Sequence, residues 1–293
     1  MKIAIIGLGK MGEWFTRFFL NEGIEVVVSD KDEEKLQKVK KELDVETLDN
    51  VKSVQNVNRV FICVPIENFE EVVAEIHPYI RRGQEVMEIC SVKEQPVDIM
   101  HKYIKNSVVL GVHPMFGPGV KNIQNQKFIL TPTSLEEKKL AETFGGWLRE
   151  RGAKVFFMSP KEHDELMSIV LGLPYFLSLA FCDALISHKR FSDAKKVSGV
   201  SFKILLTLAE AIASERAEFS ASLQTSLPQV DKIEELFLNK AADWLKLVRT
   251  KDRSAFIDKV NLLKLSLEKI DPFYSKSYII MHKMLEAVKN CGN

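Results

Sequence analysis

Two places in the chain combine residue types and spacing that could do chemistry. The first is Gly111-Val112-His113-Pro114-Met115-Phe116-Gly117-Pro118, where a single titratable side chain sits among glycines and prolines. An imidazole titrates near neutral pH, so a positioned His113 can take a proton from a hydroxyl. The bland alternative is a loop histidine satisfied by backbone groups. The second place is Gly7-Leu8-Gly9-Lys10-Met11-Gly12, a G-x-G-x-x-G run with Asp30 lying 18 residues beyond Gly12. In such a run the first glycine makes a tight turn, the second lets the backbone approach a pyrophosphate, and the third lets helix and strand pack closely.

These residues need elements to hold them. Ile3-Ala4-Ile5-Ile6 reads as a buried strand before the glycines, and Trp14, Phe15, Phe18 and Phe19 mark the helix after them. Glu25 to Ser29 is the next strand, closed by Asp30. The fingerprint therefore stands in the context it requires, with a helix N-terminus to receive the phosphates of a dinucleotide. A carboxylate at Asp30 accepts from a ribose and repels a 2′-phosphate, which favours NAD over NADP. Lys31 leaves NADP open, because a lysine can pair with that phosphate. Leu8, Lys10 and Met11 fall inside the cofactor loop, and Val64-Pro65 ends a strand beside it.

The alternation continues with strands at Val60–Val64, Glu85–Ile89, Val108–Leu110, Phe128–Thr131 and Lys154–Met158, and with helices between most of them. This pattern predicts an α/β, doubly wound parallel sheet over residues 1–160. Gly and Pro exclude a regular inner strand beyond Leu110, so His113 is expected where a strand ends and a stiff loop begins. Gly7, Asp30, Pro65, Ser91 and His113 then share the rim where open sheets bind ligands. Beyond Ser159-Pro160 no strand alternation appears. Residues 161–293 read as all-helical, with helical periodicity at Leu166–Leu185, Ala194–Ile212, Lys232–Val248 and Ser254–Leu267. The stripe Phe237, Ala241, Trp244, Leu245 and Val248 is expected in the core.

Composition narrows the function classes. With 41 basic and 40 acidic residues in 293, nothing recommends nucleic acid or an anionic membrane as a partner. Cys63, Cys90, Cys182 and Cys291 form no CxxC pair and read as buried reduced thiols, with no metal site and no disulfide framework. Met1-Lys2 runs straight into a strand, so no secretory signal is expected and the cytoplasm is the expected compartment. The uncharged run Leu166–Cys182 falls short of the roughly 20 residues that span a bilayer, and is expected inside a bundle or a subunit interface.

The chain resembles the prephenate dehydrogenase family over essentially its whole length. The resemblance rests on Gly7-Gly9-Gly12, Ser91-Val92-Lys93-Glu94, Val112 to Pro118, Ile129-Leu130-Thr131-Pro132 and Glu162-His163-Asp164. It implies a Rossmann domain followed by a helical dimerisation and substrate domain, NAD as cofactor, and a homodimer. It also implies oxidative decarboxylation of prephenate to 4-hydroxyphenylpyruvate in tyrosine biosynthesis. By resemblance His113 takes the proton of the substrate hydroxyl and Ser91 hydrogen-bonds the same group. A strand-end serine capping its own backbone remains the alternative for Ser91.

At two positions the chain departs from the family pattern. Lys203 stands where many members carry an arginine for the ring carboxylate, and Tyr175 stands for a second histidine. A lysine is a point charge and does not replace a bidentate fork like for like. Lys93 and Lys121 are further candidates for carboxylate contacts. His163-Asp164 reads as the start of a helix. Three rivals stay open: arogenate dehydrogenase, a β-hydroxyacid dehydrogenase with a lysine base, and a dinucleotide-binding protein without turnover. After the helical domain only Lys289 to Asn293 remains, so no mutase or regulatory domain is expected in the chain.

Overall fold

A computed structural model describes residues 1–290, with side chains through Glu286. The chain forms two compact units, Met1–Met167 and Ser168–Asn293. The division falls one short helix beyond the 160/161 boundary read from Ser159-Pro160.

The first unit is built on one eight-stranded sheet. Its strands are β1 (Lys2–Ile6), β2 (Glu25–Ser29), β3 (Glu46–Thr47), β4 (Arg59–Ile62), β5 (Glu85–Glu88), β6 (Val108–Pro114), β7 (Lys127–Thr131) and β8 (Lys154–Phe157). Their order is β3-β2-β1-β4-β5-β6-β7-β8. Helices α1 (Lys10–Asn21), α2 (Glu33–Leu43), α3 (Asn50–Gln55), α4 (Phe69–Ile76), α5 (Glu94–Tyr103), α6 (Leu135–Glu150) and α7 (Pro160–Met167) complete the unit. Alternation within β1 divides the core. Ile3 and Ile5 pack with Phe15, Phe19, Phe61 and Phe144, while Ala4 and Ile6 pack with Ile62, Phe69 and Val73. A strand buried on both faces reads as a continuous apolar run, as Ile3–Ile6 does.

Two expectations are corrected. The sheet is not wholly parallel: β6 and β7 pair antiparallel, and β8 runs parallel to β7. And β6 does not stop at Leu110. It continues through Gly111, Val112 and His113 to Pro114, with His113 opposite Ile129. The register explains how glycine and proline are accommodated. The parallel partner β5 ends at Glu88, opposite Gly111, so Val112–Pro114 is paired on the β7 side alone. A proline is tolerated on a strand edge, where no ladder bond asks for its N–H. Gly111 is required by packing: a Cβ there would lie 2.3 Å from Thr131 Oγ1 and 3.0 Å from Glu88 Oε1.

The second unit is helical, as expected. It holds a π turn (Ser168–Gly172), then α8 (Leu173–Ile186), α9 (Phe191–Lys196), α10 (Val200–Ala213), α11 (Ala217–Ser226), α12 (Val230–Thr250), α13 (Arg253–Ile270) and α14 (Ser277–Asn290). The π turn ends at Gly172 in close packing. A Cβ on Gly172 would stand 2.6 Å from Val230 Cγ2, and the Gly172 carbonyl accepts from Gln224 Nε2 at 2.9 Å.

The expected apolar core of this unit is corrected. In the stripe on α12, Phe237 packs against Phe176 and Trp244 against Phe256, but Ala241, Leu245 and Val248 are exposed. In α8 Ser178 is the one buried residue, and α13 buries none. By length and composition alone, the 27-residue stretch Pro160–Ile186 would suffice to cross a membrane, with 11% of its apolar window buried. Cys90 is buried, and Cys63 and Cys182 are half-buried. Cys291 and the tail beyond Asn290 lie outside the described residues.

Candidate active site

The glycine loop fits a dinucleotide in detail. Gly7 has φ +97°, a left-handed conformation, and a Cβ there would stand 2.9 Å from the Cys63 carbonyl oxygen. A Cβ on Gly12 would fall 1.9 Å from Gly7 O, so strand and helix could not approach. At Gly9 a Cβ would meet nothing within 4 Å. The space above Gly9 is thus open to a ligand, and α1 starts there with Gly9 as its cap residue and no capping side chain. Uncapped N–H groups at a helix N-terminus suit a phosphate. Buried Leu8, exposed Lys10 and half-buried Met11 complete the loop. Val64 and Pro65 follow β4 beside it, with Val64 Cγ1 2.9 Å from the Gly7 Cβ position.

Asp30 is held facing this loop. Its Oδ2 accepts from Leu8 N at 2.5 Å and its Oδ1 from Asp32 N at 2.8 Å. Each oxygen keeps a further lone pair for a ribose hydroxyl. A 2′-phosphate would meet a fixed anion.

His113 is 6% exposed and makes a single side-chain contact of note: its Nδ1 lies 2.7 Å from His163 Nε2. His163 Nδ1 in turn lies 2.6 Å from Asp164 Oδ1. The Asp164 carboxylate also accepts Lys93 N at 2.7 Å and Glu94 N at 2.9 Å, which caps α5 from α7. Burial holds the His113 imidazole well below its ordinary value of 6.5, and the neighbouring His163 and Lys93 add to this. Burial also lowers His163, against the pull of Asp164, with Lys93 lowering it further. The His113 imidazole is therefore uncharged at neutral pH. The reading of His163-Asp164 as a helix start misses this contact. Ser159 Oγ accepts from Glu162 N and caps that helix, while Asp164 caps a different one.

Lys93 is corrected as a substrate contact. It is fully buried, with Nζ 2.6 Å from Glu88 Oε1 and donating to Cys90 O at 2.6 Å. Glu88 Oε2 accepts from Cys90 N at 2.7 Å. Burial pushes the Glu88 carboxyl up, and the Lys93 ammonium opposes that. Ser91 stands half-buried between β5 and α5, and its hydroxyl has no hydrogen-bond partner among the described residues. The self-capping alternative for Ser91 finds no such bond.

The loop after His113 is pinned to α1. Trp14 Nε1 donates to Val120 O at 2.8 Å, and Phe116 packs edge-on against Trp14 and Phe128. Lys121 on this loop is exposed. In the second unit Lys203 is exposed on α10. Tyr175 on α8 packs its ring edge-on against Phe219 at 6.0 Å, and burial with the nearby Glu215 raises its phenol.

Comparison with known proteins places this geometry in a family. Residues 15–157 match the description "Prephenate dehydrogenase, nucleotide-binding domain". A protein of Methanocaldococcus jannaschii named "Probable arogenate/prephenate dehydrogenase" is 33% identical over 264 residues, covering 88% of this chain and 59% of that protein. The T-protein of Haemophilus influenzae is 23% identical, covering 88% of this chain and 64% of its own length. The chain thus spans about three fifths of the length of these curated relatives. Among solved structures, prephenate dehydrogenase from A. aeolicus in complex with hydroxyphenyl propionate and NAD+ shares the fold. Its TM-score is 0.77 at 22% identity, covering 92% of this chain and 98% of that one. Synechocystis arogenate dehydrogenase does so with a TM-score of 0.73 at 17% identity, covering 92% and 100%. With the glycine loop, the sheet and these matches together, the chain belongs to the prephenate dehydrogenase family.

Proposed function

We propose that the chain oxidises and decarboxylates prephenate with NAD+ as hydride acceptor, giving 4-hydroxyphenylpyruvate for tyrosine biosynthesis. The observation that carries this reading is His113, a buried imidazole kept neutral at the rim of the sheet. NAD+ in the glycine loop would accept the hydride. Gly7, Gly9 and Gly12 shape the cradle, the start of α1 supplies N–H donors, and Asp30 takes the ribose. His113 removes the proton of the substrate hydroxyl as the hydride leaves the same carbon. Ser91 offers its hydroxyl to the same oxygen. Loss of CO₂ then aromatises the ring and makes the sequence irreversible.

Arogenate, which carries an amine in place of the side-chain keto group, is the second reading. The M. jannaschii relative bears both substrates in its name, and the Synechocystis neighbour bears arogenate. Lys203 and Tyr175 are our candidates for the substrate carboxylates. The exposed apolar residues of α8, α12 and α13, among them Ile186, Leu245 and Leu262, support a homodimer over a membrane contact. Glu165 and Asp183 bound the uncharged run, and Asp164 inside Pro160–Ile186 already caps α5. The proposed compartment is the cytoplasm.

The test is nicotinamide reduction by purified protein with prephenate and with arogenate, each offered NAD+ and NADP+. Turnover of prephenate with NAD+ is expected. Turnover of arogenate alone would move the substrate, and silence with both, despite cofactor binding, would overturn the enzymatic reading.

A further inference from the structure

The proton His113 takes must arrive on one particular nitrogen. A neutral imidazole has one N–H and one lone pair, and only the lone pair can act as a base. What holds the lone pair on Nε2 can be followed outward from the ring. Asp164 accepts two backbone N–H groups at the start of α5, one on each carboxylate oxygen. A carboxylate accepts and does not donate, so His163 Nδ1 must carry the proton in the 2.6 Å contact. A neutral His163 then presents a lone pair at Nε2. The 2.7 Å contact to His113 Nδ1 can form only if that nitrogen carries the proton. His113 Nε2 is left bare.

Resting on the reading of His113 as the base, we propose that His163 and Asp164 are positioning residues that fix the tautomer of His113 and support the charge it gains. The step balances simply. The substrate O–H bond breaks, its proton bonds to His113 Nε2, and the hydride of the same carbon leaves to the nicotinamide. The resulting imidazolium keeps Nδ1–H on His163, whose acceptor strength Asp164 raises. The charged groups facing this pair are Asp164 on α7 and the Lys93–Glu88 pair at the β5–α5 junction. Asp164 is the carboxylate bonded to the relay, because Glu88 is engaged by Lys93. The arrangement parallels a carboxylate–histidine–nucleophile triad, with a second imidazole in the place of the nucleophile.

The experiment reads the tautomer directly. The full chain with ¹⁵N-labelled histidine is observed by two-bond ¹⁵N–¹H correlation at neutral pH, and His113 is assigned by its loss in H113N. We expect the proton on Nδ1 in the wild type. A proton on Nε2 would overturn the proposal whether or not the substrate assignment holds. Kinetics on whichever cyclohexadienol turns over supply the second arm. H163F should lower kcat about 100-fold, with KM and cofactor Kd within about 2-fold. H163Q, whose amide oxygen can accept the Nδ1 proton, should recover to within about 10-fold of the wild type. An H163F enzyme with unchanged kcat, or one that loses only cofactor affinity, would sink the assignment. D164N should shift the His113 tautomer populations, and a spectrum identical to the wild type would count against Asp164.

Discussion

A histidine in a stiff segment takes its protonation state from what surrounds it. His113 is neutral because burial, His163 and Lys93 all disfavour its charged form. Replacing it with asparagine keeps size and polarity but removes the basic ring nitrogen, so H113N should lose about 10³-fold in kcat while cofactor binding is kept. Kinetics and calorimetry on the same preparation check both halves. The lowered imidazole also sets the pH profile: the acid limb of kcat/KM should lie below the ordinary histidine value of 6.5, since protonation of His113 is deferred to lower pH. A limb centred above 6.5 would assign the titration elsewhere. Asp30 makes a separate residue-scale prediction. D30A should weaken NAD+ and narrow the preference over NADP+, read as the ratio of the two dissociation constants.

At the scale of elements, the junction of β5, α5 and α7 is held by buried charge. Lys93 and Glu88 are fully buried and face each other at 2.6 Å, and removing one partner leaves the other uncompensated. K93A should therefore cost about 3–5 kcal/mol in denaturant unfolding. The double change K93M/E88L, which removes both charges, should cost less than K93A alone. The same junction places the site: Asp164 caps α5, His163 beside it touches His113, and Gly111 leaves room for the Glu88–Lys93 pair under β6. Trp14 and Phe116 tie the loop beyond His113 to the helix that receives the cofactor. His113 and the glycine loop are thus built on elements that pack together within one unit.

For the molecule as a whole, two properties follow. His113 and His163 both have depressed proton affinity in the folded state. Below about pH 6.5 the unfolded chain takes up protons that the folded chain refuses, so this stability is present above 6.5 and lost as the pH falls toward the folded values. Urea midpoints measured downward from pH 7 should fall, and H163Q should flatten that slope. Leu262, Leu263, Leu265 and Ile270 of α13 are exposed, and the homodimer proposed above would cover such apolar side chains. Sedimentation without detergent should show a dimer, and a monodisperse monomer would remove the proposed interface.

Much of this was legible in the chain. Periodicity and punctuation are local signals, and they disclose most of the sheet strands, the glycine loop with Asp30, the helical second half and the singular His113 segment. Other features depend on residues far apart in sequence. The direction of β7, the extension of β6 to Pro114 and the tolerance for Gly111 depend on which strands pair and where β5 ends. Lys93 reads in the sequence as a cation for a substrate carboxylate, because its burial beside Glu88 depends on how β5, α5 and β6 pack. His163 and Asp164 looked like a helix start because their partners lie 50 and 70 residues away. Sequence records what each segment can become. Long-range packing settles which polar groups lose water, and so which imidazole is held neutral.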